Sequence, residues 1–488
     1  MNRVQAIPYH KNSEALFNLI RDLPYACWLD SGKPNSHFGR YDIISALPST
    51  RLVTQDGITS IYQRATLDRS EELLIQSEVT PLSLLEAELS KLSKRCDEQE
   101  LPFSGGAIGY FGYDLHRHCR KDIDSPNKPQ ASSASETNTS AEKKPKSRLP
   151  DMHAGIYHWA IVQDHETQCS YLATLEECDK SIHDLIQLRL KQNKPIPEAQ
   201  KLNVGELKPS IEREEYLKQL AKIKQYILAG DCYQVNFAQC FKAQYEGEPY
   251  SAYSKLRSVM ASPFSAYLSL SEPSVDTGKK SNQQAIMSLS PERFLKTKSD
   301  KVLTQPIKGT APRAQSPIED LAEAEDLQTS EKNRAENLMI VDLLRNDLGQ
   351  HCQPGSITVD TLFGLQSFPN VHHLVSDITG TLQNGSKSID LLKDCFPGGS
   401  ITGAPKKRAM EIIEELENRY RGVYCGSIGY INNNGDMDTN IAIRTVSCDG
   451  DSLYCWGGGG IVADSVPEEE YQESLNKIKA ILRTLQTV

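Results

Sequence analysis

No stretch of this 488-residue chain comes near the ~20 consecutive apolar residues that cross a bilayer, which argues against a helical membrane span. Met1 to Ile20 interrupts its apolar residues with His10, Lys11, Asn12 and Glu14, so the hydrophobic centre of a secretory signal is missing. Positive charge is in deficit too, with 54 Lys and Arg against 64 Asp and Glu and a net charge of −10. Nucleic acids and anionic membranes are bound chiefly through Lys and Arg, so neither is an expected partner; a small anion can still be held locally. The twelve cysteines are scattered from Cys27 to Cys455, and none stands in a C-x-x-C spacing. Reduced thiols in a cytoplasmic protein are therefore expected, rather than a zinc site or a disulfide framework.

What is present is ordinary for a soluble globular chain: 38% hydrophobic and 24% charged residues. The length suits two or three domains or one large composite domain. Residues 121–148 lack aromatics and nearly lack large aliphatics, which marks a flexible insert. The polar stretch 272–284, between two apolar runs, reads as a long hairpin loop. After residue 211, helical patterns alternate with short extended runs. Residues 212–229 and 330–348 read as helices, the second with Leu338, Ile340, Val341, Leu344 and Leu348 on its apolar face. Strands are expected at 424–431 and 437–447, joined by the hairpin signal Asn433-Asn434-Gly435. The chain should close with strand 453–456, a glycine run and a helix over 467–485. Hairpin-linked strands with helices in separate blocks predict an α+β fold with antiparallel sheet.

Several motifs carry chemical interest. Gly398 and Gly403 have the spacing of a phosphate loop, but Ala404 and Pro405 stand where its Lys and Ser/Thr should be, so a nucleotide triphosphate site is not expected. What is left is a glycine-rich turn feeding a helix whose start can face an anion, or simply a capped helix. Gly457 to Gly460 end a strand without the βαβ unit of a dinucleotide site; four glycines mean close approach by a ligand or by another chain segment. Glu473 and Lys477, at i and i+4, read first as a surface ion pair and Glu336 as a surface helix acid, yet two glutamates on separate helices can share Mg²⁺. Lys308, in an extended run, becomes a nucleophile only if burial lowers its pKa.

Taken together, PIKGT, AENLMIVDLLRNDL, PGGSITGAPKKRAMEIIEELE, NIAIRT and GGGGIVADSVPEEEYQESLNK resemble, in order and spacing, the chorismate-utilising enzymes, and among them the aminodeoxychorismate synthase branch. The resemblance covers residues 211–485 as a chorismate-binding catalytic domain. It is looser over 1–120, an anthranilate synthase component I-like region, with 149–210 as its remainder and connection. It implies an αββα core of two stacked antiparallel sheets, chorismate as substrate, and ammonia delivered by a glutamine amidotransferase subunit. It further implies Mg²⁺ on Glu336 and Glu473, and substrate contacts from Ser400, Tyr424, Arg444, Gly458, Gly460 and Lys477. Glu292 matches the acid that protonates the departing 4-hydroxyl. Lys308 matches the lysine that attacks ring C2, a position where anthranilate synthases carry a small residue. His373 matches a histidine lining the same pocket, with His372 as bystander. Relatives bind tryptophan near the N-terminus, which makes Ser31 the candidate for such a pocket, although their Leu-Leu-Glu-Ser stands here as Leu29-Asp30-Ser31.

Four other readings differ in chemistry: an anthranilate synthase component I, a non-catalytic tryptophan-binding or scaffolding subunit, a pyridoxal-phosphate aminotransferase using Lys308, and an isochorismate or salicylate synthase, whose nucleophile is water and whose lysine base occupies a different position. Lys308 and the Gly399-Ser400-Ile401-Thr402 loop speak against the first. A binding module has no use for an acid, a nucleophile and a metal pair together, which speaks against the second.

Overall fold

Strand Ser452–Ile461 shows how this sequence builds layers. Its side chains alternate between Leu453 and Cys455, which join one apolar cluster, and Tyr454 and Trp456, which join another. The first cluster packs this sheet against helices, with Phe17, Tyr253, Leu256 and Ile481 covering Trp28, Ile44 and Ile161. Between the sheets, Ile43, Ala266 and Ile286 of one meet Ile108, Tyr110 and Ile428 of the other. The second sheet's far face, with Leu52, Val302 and Ile378, is covered by Leu85, Ile340, Val341, Leu344 and Leu391 from three further helices. The layering is αββα.

The computed structural model describes residues 3–64, 66–67, 70–93, 101–119, 144–192, 194, 196–272, 283–368 and 371–487. Most of the expected insert at 121–148, and the tip of the expected 272–284 loop, lie outside them. Among the described residues one sheet has 13 strands and the other 12, antiparallel throughout. The first runs Arg3–Ile7, Cys169–Thr174, Trp159–Asp164, Tyr41–Ser45, Cys27–Asp30, Phe264–Ser269, Ala285–Ser290, Thr445–Asp449, Ser452–Ile461, Gln234–Glu246. Strands from before and after residue 211 are hydrogen-bonded neighbours in both sheets, as where Cys27–Asp30 pairs Phe264–Ser269 and where Gly106–Phe111 pairs Ser427–Asn432. Pairing of Phe264–Ser269 with Ala285–Ser290 bears out a hairpin around 272–284.

Four local expectations need correction. The glycine run does not follow a strand but lies inside one, because Gly457 to Gly460 pair in register with Gln239 to Asn236. Residues 437–447 form two strands, not one: Met437–Asn440 belongs to one sheet and Thr445–Asp449 to the other. The chain changes sheets across Ile441 to Arg444, and Arg444 takes the left-handed region at φ 51°. Tyr424 precedes strand Ser427–Asn432 rather than opening it, and Leu338 is 47% exposed on its helix.

Candidate active site

Lys308 lies at the start of strand Ile307–Pro312, where the register against Val371–Thr381 slips between Ile307 and Thr310. Such a bulge re-aims a side chain, and Gly309 beside it sits at φ 99°, a conformation that favours glycine. The Lys308 ammonium donates to the carbonyl oxygen of Ser400 at 3.0 Å. Burial lowers its pKa; the Glu336, Glu292 and Glu473 charges oppose that, and Lys477 adds to it. On the other side of Ser400 is Glu292, 4% exposed, between strands Ala285–Ser290 and Arg293–Lys298. Burial pushes its carboxyl up to about 7, against a hydrogen bond with the Ser400 side chain and the charges of Lys308 and Arg444.

Helix Glu331–Gly349 supplies Glu336 and helix Pro467–Asn476 supplies Glu473. The pKa of Glu336 is raised, first by burial and then by Glu470 and Glu473, while Lys308 and Lys332 pull it down. Glu473 is held low, chiefly by Lys477, whose ammonium lies 2.6 Å from its carboxylate. Lys477 also donates to the Gly458 carbonyl at 3.1 Å. Carboxylates on two helices, with a raised pKa on one of them, suit a hard divalent cation that keeps water and substrate oxygens on its remaining positions. Among the described residues no group of three or more His, Cys, Asp or Glu side chains forms a closed metal cage.

Arg444 projects from the sheet-to-sheet crossing. Among the described residues its guanidinium makes no hydrogen bond or ion pair, and burial lowers its pKa to about 10 against the field of Glu292. His373 is 1% exposed; its Nδ1 meets the Thr310 hydroxyl at 2.8 Å and its Nε2 has no partner. Burial, with Arg444 nearby, holds it neutral well below its usual pKa. His372 points away, to Ser367 and Asp320. Tyr424 is buried and stacks on Trp456, ring centroids 5.5 Å apart at 4°.

The glycines differ along the strand. A methyl on Gly457 would stand 2.3 Å from the Ser474 carbonyl of helix Pro467–Asn476, and one on Gly458 2.4 Å from the Phe237 carbonyl, so neither position has room for a side chain. A methyl on Gly460 would meet the Gln234 amide at 2.0 Å and Lys308 Nζ at 3.5 Å; one on Gly459 would face Lys477, Glu470 and Glu473 at 3.4–3.6 Å. Gly459 and Gly460 thus border the charged groups.

The chain as a whole has relatives among known proteins. The family model described as chorismate binding enzyme matches residues 27–483. The chain belongs to the chorismate-binding enzymes. Its relatives in that family include aminodeoxychorismate synthase component 1 of Salmonella typhimurium, 40% identical over 485 residues, 99% of this chain and 98% of the relative. The protein of the same name from Escherichia coli is 39% identical over 478 residues, 97% and 96% of the two chains. The crystal structure of anthranilate synthase component I from Streptococcus pneumoniae superposes with a TM-score of 0.70 at 30% identity, covering 91% of this chain and 92% of that one.

Ser31 lies apart from these groups. It is 1% exposed, its amide donates to Asp42 at 2.6 Å, and its hydroxyl is buried without a partner. A separate cleft of about 420 Å³ adjoins Asp30, its neighbour, with Tyr41, Phe264, Arg293 and Asn440 in its wall.

Sequence reading of this chorismate-binding enzyme missed three groups. Glu470, 5% exposed, bonds the Ser465 hydroxyl at 2.5 Å and lies 3.6 Å from Lys332. Both amide atoms of Gln234 are buried and unpartnered beside Gly460. Arg421 and Glu417 are a buried pair under the Ser400 loop. The only available signal was chain position: Glu470 three residues before Glu473, Gln234 in an extended run, and Glu417 four before Arg421.

Proposed function

We propose that this chain aminates chorismate at C4 with ammonia, giving 4-amino-4-deoxychorismate for para-aminobenzoate and folate synthesis, the ammonia coming from a glutamine amidotransferase subunit. One observation carries the reading: an amine of lowered pKa and a carboxyl of raised pKa meet at a single residue, Lys308 on the Ser400 carbonyl and Glu292 on its side chain. A nucleophile must be unprotonated and a general acid protonated near neutral pH, and these shifts run in those two directions.

In this reading the Lys308 amine attacks ring C2, the ring double bond shifts, and the C4–O bond breaks. Glu292 gives its proton to the departing hydroxyl, which leaves as water. Ammonia then forms a bond at C4, the double bond returns, the C2–N bond breaks, and Glu292 recovers a proton. The balance is chorismate plus ammonia to 4-amino-4-deoxychorismate plus water. Glu336 and Glu473 would hold Mg²⁺, which when bound neutralises charge on the ring carboxylate. In this reading Arg444 would take the enolpyruvyl carboxylate bidentately, with Ser400, Tyr424, Gly458, Gly460, Lys477 and the His373 Nε2 completing the substrate's surroundings.

Purified protein given chorismate, Mg²⁺ and ammonium at alkaline pH, with products separated by chromatography, tests the reading. Formation of 4-amino-4-deoxychorismate, lost in Lys308→Ala, supports it. Anthranilate with pyruvate would place the chain in the other branch.

A further inference from the structure

Strand Gln234–Glu246 has one edge covered only in part. Gly403–Ala404 pairs Gln234 and Val235, and Lys208–Pro209 pairs Phe241 and Lys242. In the gap between them, the Asn236 amide and the Cys240 carbonyl bond the backbone of Thr402 and Ser210, and two side chains take further groups. Glu417 accepts from the Ala238 amide at 3.0 Å, and Arg421 donates to the Asn236 carbonyl at 2.7 Å. The two are joined to each other at 2.6 and 2.9 Å and are almost wholly buried, 1% exposed for Arg421 and 2% for Glu417. A buried ion pair is costly unless its remaining donors and acceptors are satisfied, and here they replace the missing strand's hydrogen bonds.

Arg421 has a second grip. Its Nη1 donates to the Ile401 carbonyl at 2.9 Å. Three successive carbonyls of the loop are thereby held from three directions: Ser400 by Lys308 at 3.0 Å, Ile401 by Arg421, and Thr402 by the Asn236 amide at 2.8 Å. The Ser400 and Ile401 peptides meet at the Ile401 Cα and are linked only through its φ and ψ, so holding the Ile401 carbonyl on Arg421 and the Thr402 carbonyl on Asn236 narrows the orientations open to the Ser400 peptide, whose carbonyl faces Lys308.

We propose that Glu417 and Arg421 are positioning residues: a buried ion pair that touches no reacting atom, but sets the Ser400 peptide on which the Lys308 amine and the Glu292 carboxyl are both registered. This rests on the roles given to Lys308 and Glu292 above.

The test compares wild type, Arg421→Lys and the neutral double variant Glu417→Gln with Arg421→Met, the latter chosen because replacing a whole buried pair is tolerated far better than breaking it. For each, kcat and KM for chorismate are measured with ammonium, and the rate at which an amine-reactive acylating reagent labels Lys308 is followed by peptide mass spectrometry, with exposed Lys218 as control. The double variant should lose about 100-fold in kcat, the scale of a roughly 1 Å misplacement, with KM moving less than about threefold; Arg421→Lys should recover part of the loss. Lys308 labelling should change in the double variant while Lys218 labelling does not. Folded variants with unchanged kcat and unchanged Lys308 labelling would overturn the proposal, as would a loss confined to KM. If wild type makes no 4-amino-4-deoxychorismate but Lys308 labelling still responds to the pair, the amination reading fails and the positioning role stands.

Discussion

The ammonium of Lys308 rests 3.0 Å from the carbonyl oxygen of Ser400, a residue 92 positions further along the chain. Among the described residues this is the hydrogen bond its ammonium makes, so the position of the proposed nucleophile depends on a loop and a bulged strand meeting between separate elements. Lys308→Ala should therefore leave the fold unchanged while lowering kcat at least about 10³-fold, the scale expected when one member of a catalytic set that acts as a unit is removed. Circular dichroism paired with the ammonium-dependent assay checks both halves.

Glu292 sets a pH dependence. In its proposed role as the acid Glu292 works protonated, and burial raises its pKa to about 7, so kcat/KM should fall as pH rises above about 7, and Glu292→Gln should remove that limb while losing about 10²–10⁴-fold in rate. The stability consequence has a definite sign. Because the folded pKa lies above the ordinary 4.5, the native state binds the proton more tightly, and wild type loses stability as pH rises from about 4.5 to 7. Glu292→Gln escapes this loss, so its stability relative to wild type should be greater at pH 8 than at pH 4, by at most about 3 kcal/mol. Urea titrations at the two pH values measure it.

Arg444 offers a test of substrate binding. Arg444→Gln removes the free guanidinium and should raise KM for chorismate about 10- to 100-fold, as expected for a charged hydrogen-bonded contact of about 1.5–3 kcal/mol. Arg444→Lys should recover only part, since an ammonium cannot engage a carboxylate in the planar fork. An unchanged KM in both would remove Arg444 from the substrate site.

Magnesium should stabilise the protein by mass action. Wild type should show a Tm that climbs with Mg²⁺ concentration, and Glu336→Gln should flatten the titration. A thermal-shift series with Mg²⁺, and with Na⁺ at matched ionic strength, reads this without turnover. Equal slopes in the two proteins would take Glu336 out of the metal site.

Neighbouring glycines should respond differently. Gly457→Ala drives a methyl to 2.3 Å from the Ser474 backbone, which forces the helix carrying Glu473 and Lys477 to move; at Gly459 the nearest atoms are side-chain ends at 3.4–3.6 Å. Gly457→Ala should cost about 1–3 kcal/mol and Gly459→Ala much less, as judged from denaturant midpoints.

Local pattern in the sequence was enough for the Asn433-Asn434-Gly435 hairpin, which the register of Gly429 against Thr439 bears out, and for helices Arg213–Leu228 and Glu331–Gly349. It failed at residues 437–447, because alternation looks the same on either side of a change of sheet and nothing in the composition marks the crossing at Ile441 to Arg444. It also failed at the glycine run: four residues without side chains show no alternation, so only pairing with Gln234–Glu246 identifies them as strand. Individual site residues were legible only through a family resemblance, since a lone lysine, a helix glutamate and an i,i+4 ion pair each have an ordinary surface explanation.

By itself the sequence determined the α+β class, the antiparallel habit, most helix and hairpin positions and the chemical types available at the site, because periodicity, turn residues and ionisable groups are local properties; the closing helix expected over 467–485 is instead two, Pro467–Asn476 and Lys479–Leu485. Tertiary structure alone decided which of those groups meet: the bulge that aims Lys308 at Ser400, the sheet crossing that presents Arg444, the burial that lifts Glu292 and lowers Lys308, and the Glu417–Arg421 pair that stands in for a strand. Those depend on desolvation and on contacts between residues tens to hundreds of positions apart, and no pattern along the chain encodes either.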